Sequence, residues 1–172
     1  MRINIAQISE EDGLNLHHLY PDGEPALSNS EGQLIGRSEL DLQATRAGQE
    51  VELVGRVKAR VEFECDRCLQ PLAVTVEPSF DLLYLPPLGT GDEHELGEDD
   101  LAIAFYQGDT IDVDDLVREQ IELALPMSKL CREDCRGLCP ECGANLNDGD
   151  CGCKDEEIDP RWAALKQLKT DH

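Results

Sequence analysis

The chain has 172 residues, with 37 Asp and Glu against 15 Lys and Arg and a formal net charge of -22. That length holds one domain with a sizeable core, or a core plus a small metal module. The acidity argues against binding nucleic acid by the whole surface and against anionic membranes, both of which need clustered cations. Aromatic residues make up 4% of the chain, too few for a base-stacking platform. No run approaches the roughly 20 apolar residues of a bilayer span. The N-terminus MRINIAQISEEDG has no apolar run of signal-peptide type, so cytoplasm is the expected compartment.

In chain order, residues 2–8, RINIAQI, alternate and predict a first strand with Ile3, Ile5 and Ile8 on one face. Residues 14–20, LNLHHLY, read as a further extended piece, with His17 and His18 expected at solvent or turn positions. Residues 21–36 carry Pro21, Gly23, Pro25, Gly32 and Gly36, which is loop chemistry. Residues 39–45 alternate with Leu40, Leu42 and Ala44 inward, and Arg46 to Gln49 turn the chain. The longest strand signal is 50–64, EVELVGRVKARVEFE. Val51, Leu53, Val57, Ala59, Val61 and Phe63 share one parity, charged residues hold the other, and Gly55 marks a bulge or a close approach. CDRCLQP follows as a turn, and 72–86 resume extended structure with a bend or edge at Pro78. Residues 86–100 read as a mobile acidic loop in which His94 is incidental, and 101–111 as a last short strand. The clearest helix is 113–125. Asp112 is its cap, Asp114 and Asp115 sit at its positive end, and Pro126 stops it. A second helix is expected after Asp159-Pro160, with Trp162, Leu165 and Leu168 docking on the body or engaging a partner.

These elements predict an α+β protein: an antiparallel, partly barrel-like sheet, one covering helix and a C-terminal zinc-binding segment. The expected divisions are a β-rich body over 1–126, a cysteine-rich segment over 127–156 packed on it, and a short helix over 157–172.

The eight cysteines come as close pairs: Cys65 and Cys68, Cys131 and Cys135, Cys139 and Cys142, Cys151 and Cys153. Such pairs suit tetrahedral zinc, one pair gripping one side of the ion and a second closing the site. In Cys139-Pro140-Glu141-Cys142-Gly143 the proline pre-sets one backbone angle and the glycine permits a positive φ. A local quartet of Cys139, Cys142, Cys151 and Cys153 closes only short loops, which leaves Cys131 and Cys135 to join Cys65 and Cys68. The competing grouping joins Cys131 and Cys135 to Cys139 and Cys142. Two structural zinc ions per chain are expected. Disulfides would suit an exported chain, and a thioredoxin-like dithiol belongs at a strand-to-helix junction, whereas Cys65 and Cys68 lie between two strands.

Four sulfurs close a zinc site to water, and the chain has no HExxH, GxSxG, GxxxxGK[ST] or GxGxxG motif. The expectation is a protein without catalytic residues, cofactor chemistry or small-molecule substrate. Seven cations lie beside the long-range quartet in sequence: Arg56, Lys58, Arg60, Arg67, Lys129, Arg132 and Arg136. They form a candidate site for RNA or an acidic partner, or else they offset thiolates and the neighbouring Glu62 and Glu64.

CDRCLQPL after a long strand, then LVREQIELALP, GLCPECGANLN, a closing CGC and DPRWAALKQL resemble the YceD family of large ribosomal RNA subunit accumulation proteins, in order over most of 39–168. The resemblance implies a bacterial, non-enzymatic factor for synthesis, processing or stability of large-subunit (23S) ribosomal RNA. The partners it implies are that RNA, a pre-ribosomal particle or a basic ribosomal protein. It also supports the long-range quartet as a unit, because some members keep counterparts of Cys65 and Cys68, with a His and a Cys near the positions of Cys131 and Cys135, and lack the GLCPECG tail. A zinc-stabilised adaptor for protein partners and a dithiol redox protein are the other two readings.

Overall fold

The computed structural model describes residues 1–28, 32–86 and 103–153. The predicted C-terminal helix, and the acidic loop with His94 apart from its first residue, lie outside the described residues.

The spine is β5 (Glu50–Glu64), the strand with the longest alternation. Its odd positions Val51, Leu53, Val57 and Val61 are fully buried, while Arg56, Lys58 and Arg60 stand on the open face. Gly48, at φ 63, and Gln49 make the two-residue turn from β4 (Ser38–Ala47), which pairs antiparallel with β5 from Ala47↔Glu50 to Glu39↔Lys58. Leu40, Leu42 and Ala44 of β4 fill the same buried side. β2 (Leu14–Tyr20) pairs antiparallel with the outer edge of β4, and β3 (Gln33–Leu34) adds a short ladder to the far end of β5.

On its other edge β5 meets β6 (Pro71–Val76) and β7 (Ser79–Leu85). The two share one register, Ala59↔Val76 and Arg56↔Ser79, so they are one strand interrupted at Glu77-Pro78. Pro78 lacks an N–H, but its carbonyl still accepts from Val57 N at 2.9 Å, which keeps the ladder together. Gly55 marks a close approach rather than a bulge, since the register runs through it without a slip on both sides.

Three expectations are corrected. The sheet is not barrel-like: its path β2-β4-β5-β7-β8 ends in two separate edges, with β8 being Ile103–Phe105. Nor is it wholly antiparallel, because β8 joins β7 in parallel. The predicted first strand is only β1 (Arg2–Asn4). Asn4 then caps a 3-10 turn over Ile5–Gln7, its side chain accepting from Ala6 N at 2.8 Å while Gln7 accepts from Asn4 N at 3.2 Å. β1 pairs with β9 (Thr110–Asp112) as a separate two-stranded sheet.

The helix α1 (Val113–Ala124) follows β9 directly, with Asp112 Oδ1 accepting from the amides of Asp114 and Asp115. Val113, Leu116, Val117 and Ile121 bury its apolar stripe in the same core as the odd residues of β5 and Ile3, Ile5 and Ile111. The hairpin β5–β6 therefore projects its tip, residues 65–70, toward the segment that follows α1.

Candidate metal centres

The hairpin tip is built by its backbone. Cys65 N donates to Gln70 O at 2.9 Å, and Leu69 N donates to Cys65 O at 2.9 Å. The same two bonds recur in the tail: Cys139 N to Ala144 O at 2.8 Å and Gly143 N to Cys139 O at 2.9 Å. Both Cys-x-x-Cys knuckles need a left-handed residue right after the second cysteine. Gly143 supplies it at φ 72, as its sequence predicts, but in the hairpin knuckle Leu69 takes that place at φ 58.

The segment 129–138 is laced onto this tip. Asp66 N donates to Lys129 O at 2.8 Å, and Lys129 N to Asp66 Oδ2 at 2.7 Å. Leu138 N donates to Arg67 O at 3.1 Å, and the Arg67 guanidinium donates to Cys135 O at 2.8 Å. Gly137, at φ 75, lies so close that a Cβ there would sit 3.0 Å from Arg67 O.

The sulfurs consequently gather as two quartets, Cys65, Cys68, Cys131 and Cys135 at the hairpin, and Cys139, Cys142, Cys151 and Cys153 in the tail, each within 4.8 Å of one another. The competing grouping does not occur. All eight are free thiols. Cys68 and Cys131 sulfurs lie 3.6 Å apart, and those of Cys65 and Cys135 3.8 Å. A tetrahedral ion bonded to four sulfurs at about 2.3 Å sets them about 3.8 Å apart, so the hairpin quartet already has that size.

Electrostatics favour a cation in each. Burial pushes the Cys65 thiol up, but backbone amides of Cys131, Cys68 and Arg67 aimed at its sulfur outweigh this and bring it down to about 6. Burial and the neighbouring thiols push Cys131 up to about 12. The tail repeats the pattern: the amides of Cys142 and Glu141 lower Cys139 to about 7, and hydrogen bonds with Cys142, Cys151 and Cys139 raise Cys153 to about 12. Cys135 is lowered, first by the side chain of Asn147. In each quartet one thiolate forms readily and another resists, so four thiolates coexist only around a positive ion. The all-sulfur donor set selects soft metals.

The seven cations do not make one compact patch. Arg67, Lys129, Arg132 and Arg136 surround the hairpin centre. Arg132 reaches Asn147 Oδ1 at 2.7 Å, Arg136 reaches Asp150 at 2.6 Å, and Lys129 lies 5.9 Å over the Phe63 ring. Arg60 and Arg56 are about 17 and 30 Å from Cys65 along the strand. Lys58 pairs with Glu77 at 2.7 Å.

Two features escape sequence reasoning. His17, an exposed residue of β2, sits 2.8 Å from Asp41 and 3.8 Å from Glu39, a cluster made by the pairing of β2 with β4. Asn147 donates to the Cys135 sulfur at 3.3 Å. Its only signal in sequence is its place in a turn-forming Asn-Leu-Asn-Asp run.

A sequence profile of the YceD family, described as large ribosomal RNA subunit accumulation protein, matches residues 53–169. An uncharacterized protein of Mycobacterium tuberculosis is 32% identical over 174 residues, 98% of this chain and 81% of that one. The protein named large ribosomal RNA subunit accumulation protein YCED homolog 1, chloroplastic, of Arabidopsis thaliana is 26% identical over 173 residues, 87% of this chain and 50% of that one. The uncharacterized protein YlbN of Bacillus subtilis is 26% identical, covering 81% of this chain and 78% of its own. No solved structure matches. Among the described residues, no helix is long and apolar enough to cross a membrane.

Proposed function

This chain belongs to the YceD family, and we propose that it is a non-enzymatic ribosome-biogenesis factor supporting the synthesis, processing or stability of large-subunit ribosomal RNA in the cytoplasm. The observation that carries this reading is the extent of the family match, which spans β5 from Leu53 onward, the hairpin knuckle, α1 and the whole tail quartet. The name of the chloroplast homologue points the same way.

Zinc fills both quartets in this reading. When bound, it cross-links the hairpin tip to the segment after α1 and closes the tail on itself. Such binding is worth roughly 10–16 kcal/mol in zinc-finger peptides, ample to order a Gly-rich stretch with no core of its own. Closed four-sulfur sites leave no open coordination position, so the protein acts by binding rather than by catalysis.

The partner is a basic ribosomal protein. A net charge of -22 complements such a surface, and most of the seven cations are already engaged with carboxylates, a carbonyl or an amide oxygen of the chain itself. Direct contact with RNA is the second reading, favoured by Arg56 and Arg60, which stand exposed on the open face of β5.

The test is capture of the chain from cells after ultraviolet crosslinking, with sequencing of bound RNA and mass spectrometry of bound protein. Recovery of a large-subunit ribosomal protein without discrete RNA crosslinks is expected. Discrete large-subunit RNA crosslinks that disappear in Arg56→Glu with Lys58→Glu would establish the second reading. Recovery of neither would refute both.

A further inference from the structure

We propose that Asn147 is a positioning residue that couples the two centres. The loop closed by the tail quartet delivers its side chain to the Cys135 sulfur, so that an ion in the tail centre raises the affinity of the hairpin centre. The inference rests on the reading that both quartets hold metal.

Asn147 lies between Cys142 and Cys151, inside the loop that the tail centre ties together. Its Nδ2 donates to Cys135 Sγ at 3.3 Å and to Asn145 Oδ1 at 2.8 Å. Its Oδ1 accepts from Arg136 N at 2.9 Å and from the Arg132 guanidinium at 2.7 Å. Both of those partners are donors only, which fixes the orientation of the amide: the oxygen faces the arginines and the N–H faces the sulfur. A single side chain therefore orients one ligand, holds the backbone amide that follows it and engages the Arg132 side chain that precedes it.

The loop is held in place for this task. Leu146 N donates to Gly137 O at 2.9 Å, Leu138 and Asn145 form a bridge, and Arg136 reaches Asp150 at 2.6 Å. Asn147 N donates to Asn145 Oδ1 at 3.0 Å, closing the turn that aims the side chain. Cys135 and Cys139, one ligand from each quartet, are four residues apart on the braced segment. An ion that orders the loop thus presents Asn147 already aimed, and by linkage an ion at the hairpin favours the tail centre by the same factor. Groups that orient metal ligands cost 10–100-fold in metal affinity when removed.

The experiment is titration of the full chain with Co²⁺ against a competing chelator, followed by tetrathiolate absorption, with total metal counted by mass spectrometry. Asn147→Asp keeps the acceptor for Arg132 and the Arg136 amide but cannot donate to the sulfur and sets a carboxylate against it. It is expected to bind two ions, with hairpin affinity beside a filled tail centre lowered about 10–100-fold and the tail centre, filled while the hairpin is empty, changed less. Cys142→Ser, which breaks the tail centre, is expected to weaken the hairpin centre as well. Adding Asn147→Asp to it is expected to cost little more, because the loop no longer presents the side chain. Two ions with hairpin affinity within twofold of wild type in Asn147→Asp would overturn the coupling alone. A wild-type chain that holds no more than one ion would overturn the metal reading, and this inference with it.

Discussion

Substituting Gly55 by alanine places the sharpest demand on the central sheet. A Cβ there would lie 2.6 Å from Phe80 Cζ, 3.1 Å from Phe80 Cε2 and 2.7 Å from the carbonyl oxygen of Asp41. Ordinary carbon contacts begin near 3.5 Å, so about 0.8–0.9 Å must be recovered. Neither neighbour yields freely. Gly55 pairs with Leu42 on one side and Phe80 on the other, in ladders that are continuous through it, and Phe80 is only 7% exposed. Overpacking of this kind costs roughly 1–3 kcal/mol. Loss of glycine's freedom in the unfolded chain offsets about 0.4–1 kcal/mol of that. A net loss of about 1–2 kcal/mol lowers Tm by roughly 2–8 °C for a chain of this size. Urea unfolding at saturating zinc is the suitable assay, because metal binding itself shifts apparent stability. Gly55→Ala combined with Phe80→Leu should be less destabilised than the sum of the two singles, by about 0.5 kcal/mol or more. An unchanged midpoint in Gly55→Ala, or strict additivity in the pair, would refute the clash.

The remaining predictions concern the knuckle, the second strand and the open sheet face. Leu69→Gly, at an exposed position with φ 58, should be neutral or stabilising by up to about 1 kcal/mol in the same unfolding assay, since it relieves a left-handed leucine; marked destabilisation would show that the Leu69 side chain is needed there. Tyr20→Phe removes a 2.9 Å hydrogen bond from the buried Tyr20 to Asp114 and should cost about 1–3 kcal/mol, with no change in metal content. The hydrogen bond to Asp41 raises the His17 pKa, so nuclear magnetic resonance titration should place it above about 6.5, and Asp41→Asn should bring it back down. The stability from this pair is fully present below that unfolded value and fades as pH rises through the higher folded one. A His17 titration indifferent to Asp41 would count against the pairing of β2 with β4.

Local signals carried much of this protein. The parity of Val51 to Phe63 specified β5 and its buried face, because a strand places alternate side chains on opposite sides whatever it later meets. Asp112, Asp114, Asp115 and Pro126 marked the ends of α1, since a helix end is satisfied by its own neighbours in sequence. Gly143 announced a left-handed knuckle, and short loops made Cys139, Cys142, Cys151 and Cys153 one group. What the fold alone decided lies between segments far apart in the chain. The hairpin quartet depends on residues 65–68 meeting 131–135, through hydrogen bonds that no local pattern encodes. The same holds for the parallel seat of β8, the open edges of the sheet, the His17 cluster, the ion pair that occupies Lys58 and the reach of Asn147 to Cys135. Leu69 is the plainest case. Nothing in a leucine announces a positive φ, and the knuckle bonds from Leu69 N to Cys65 O and from Cys65 N to Gln70 O, at the closed end of the β5–β6 ladder, hold it there. Periodicity reports which face a residue takes, whereas partners are set by how those faces close on one another in space.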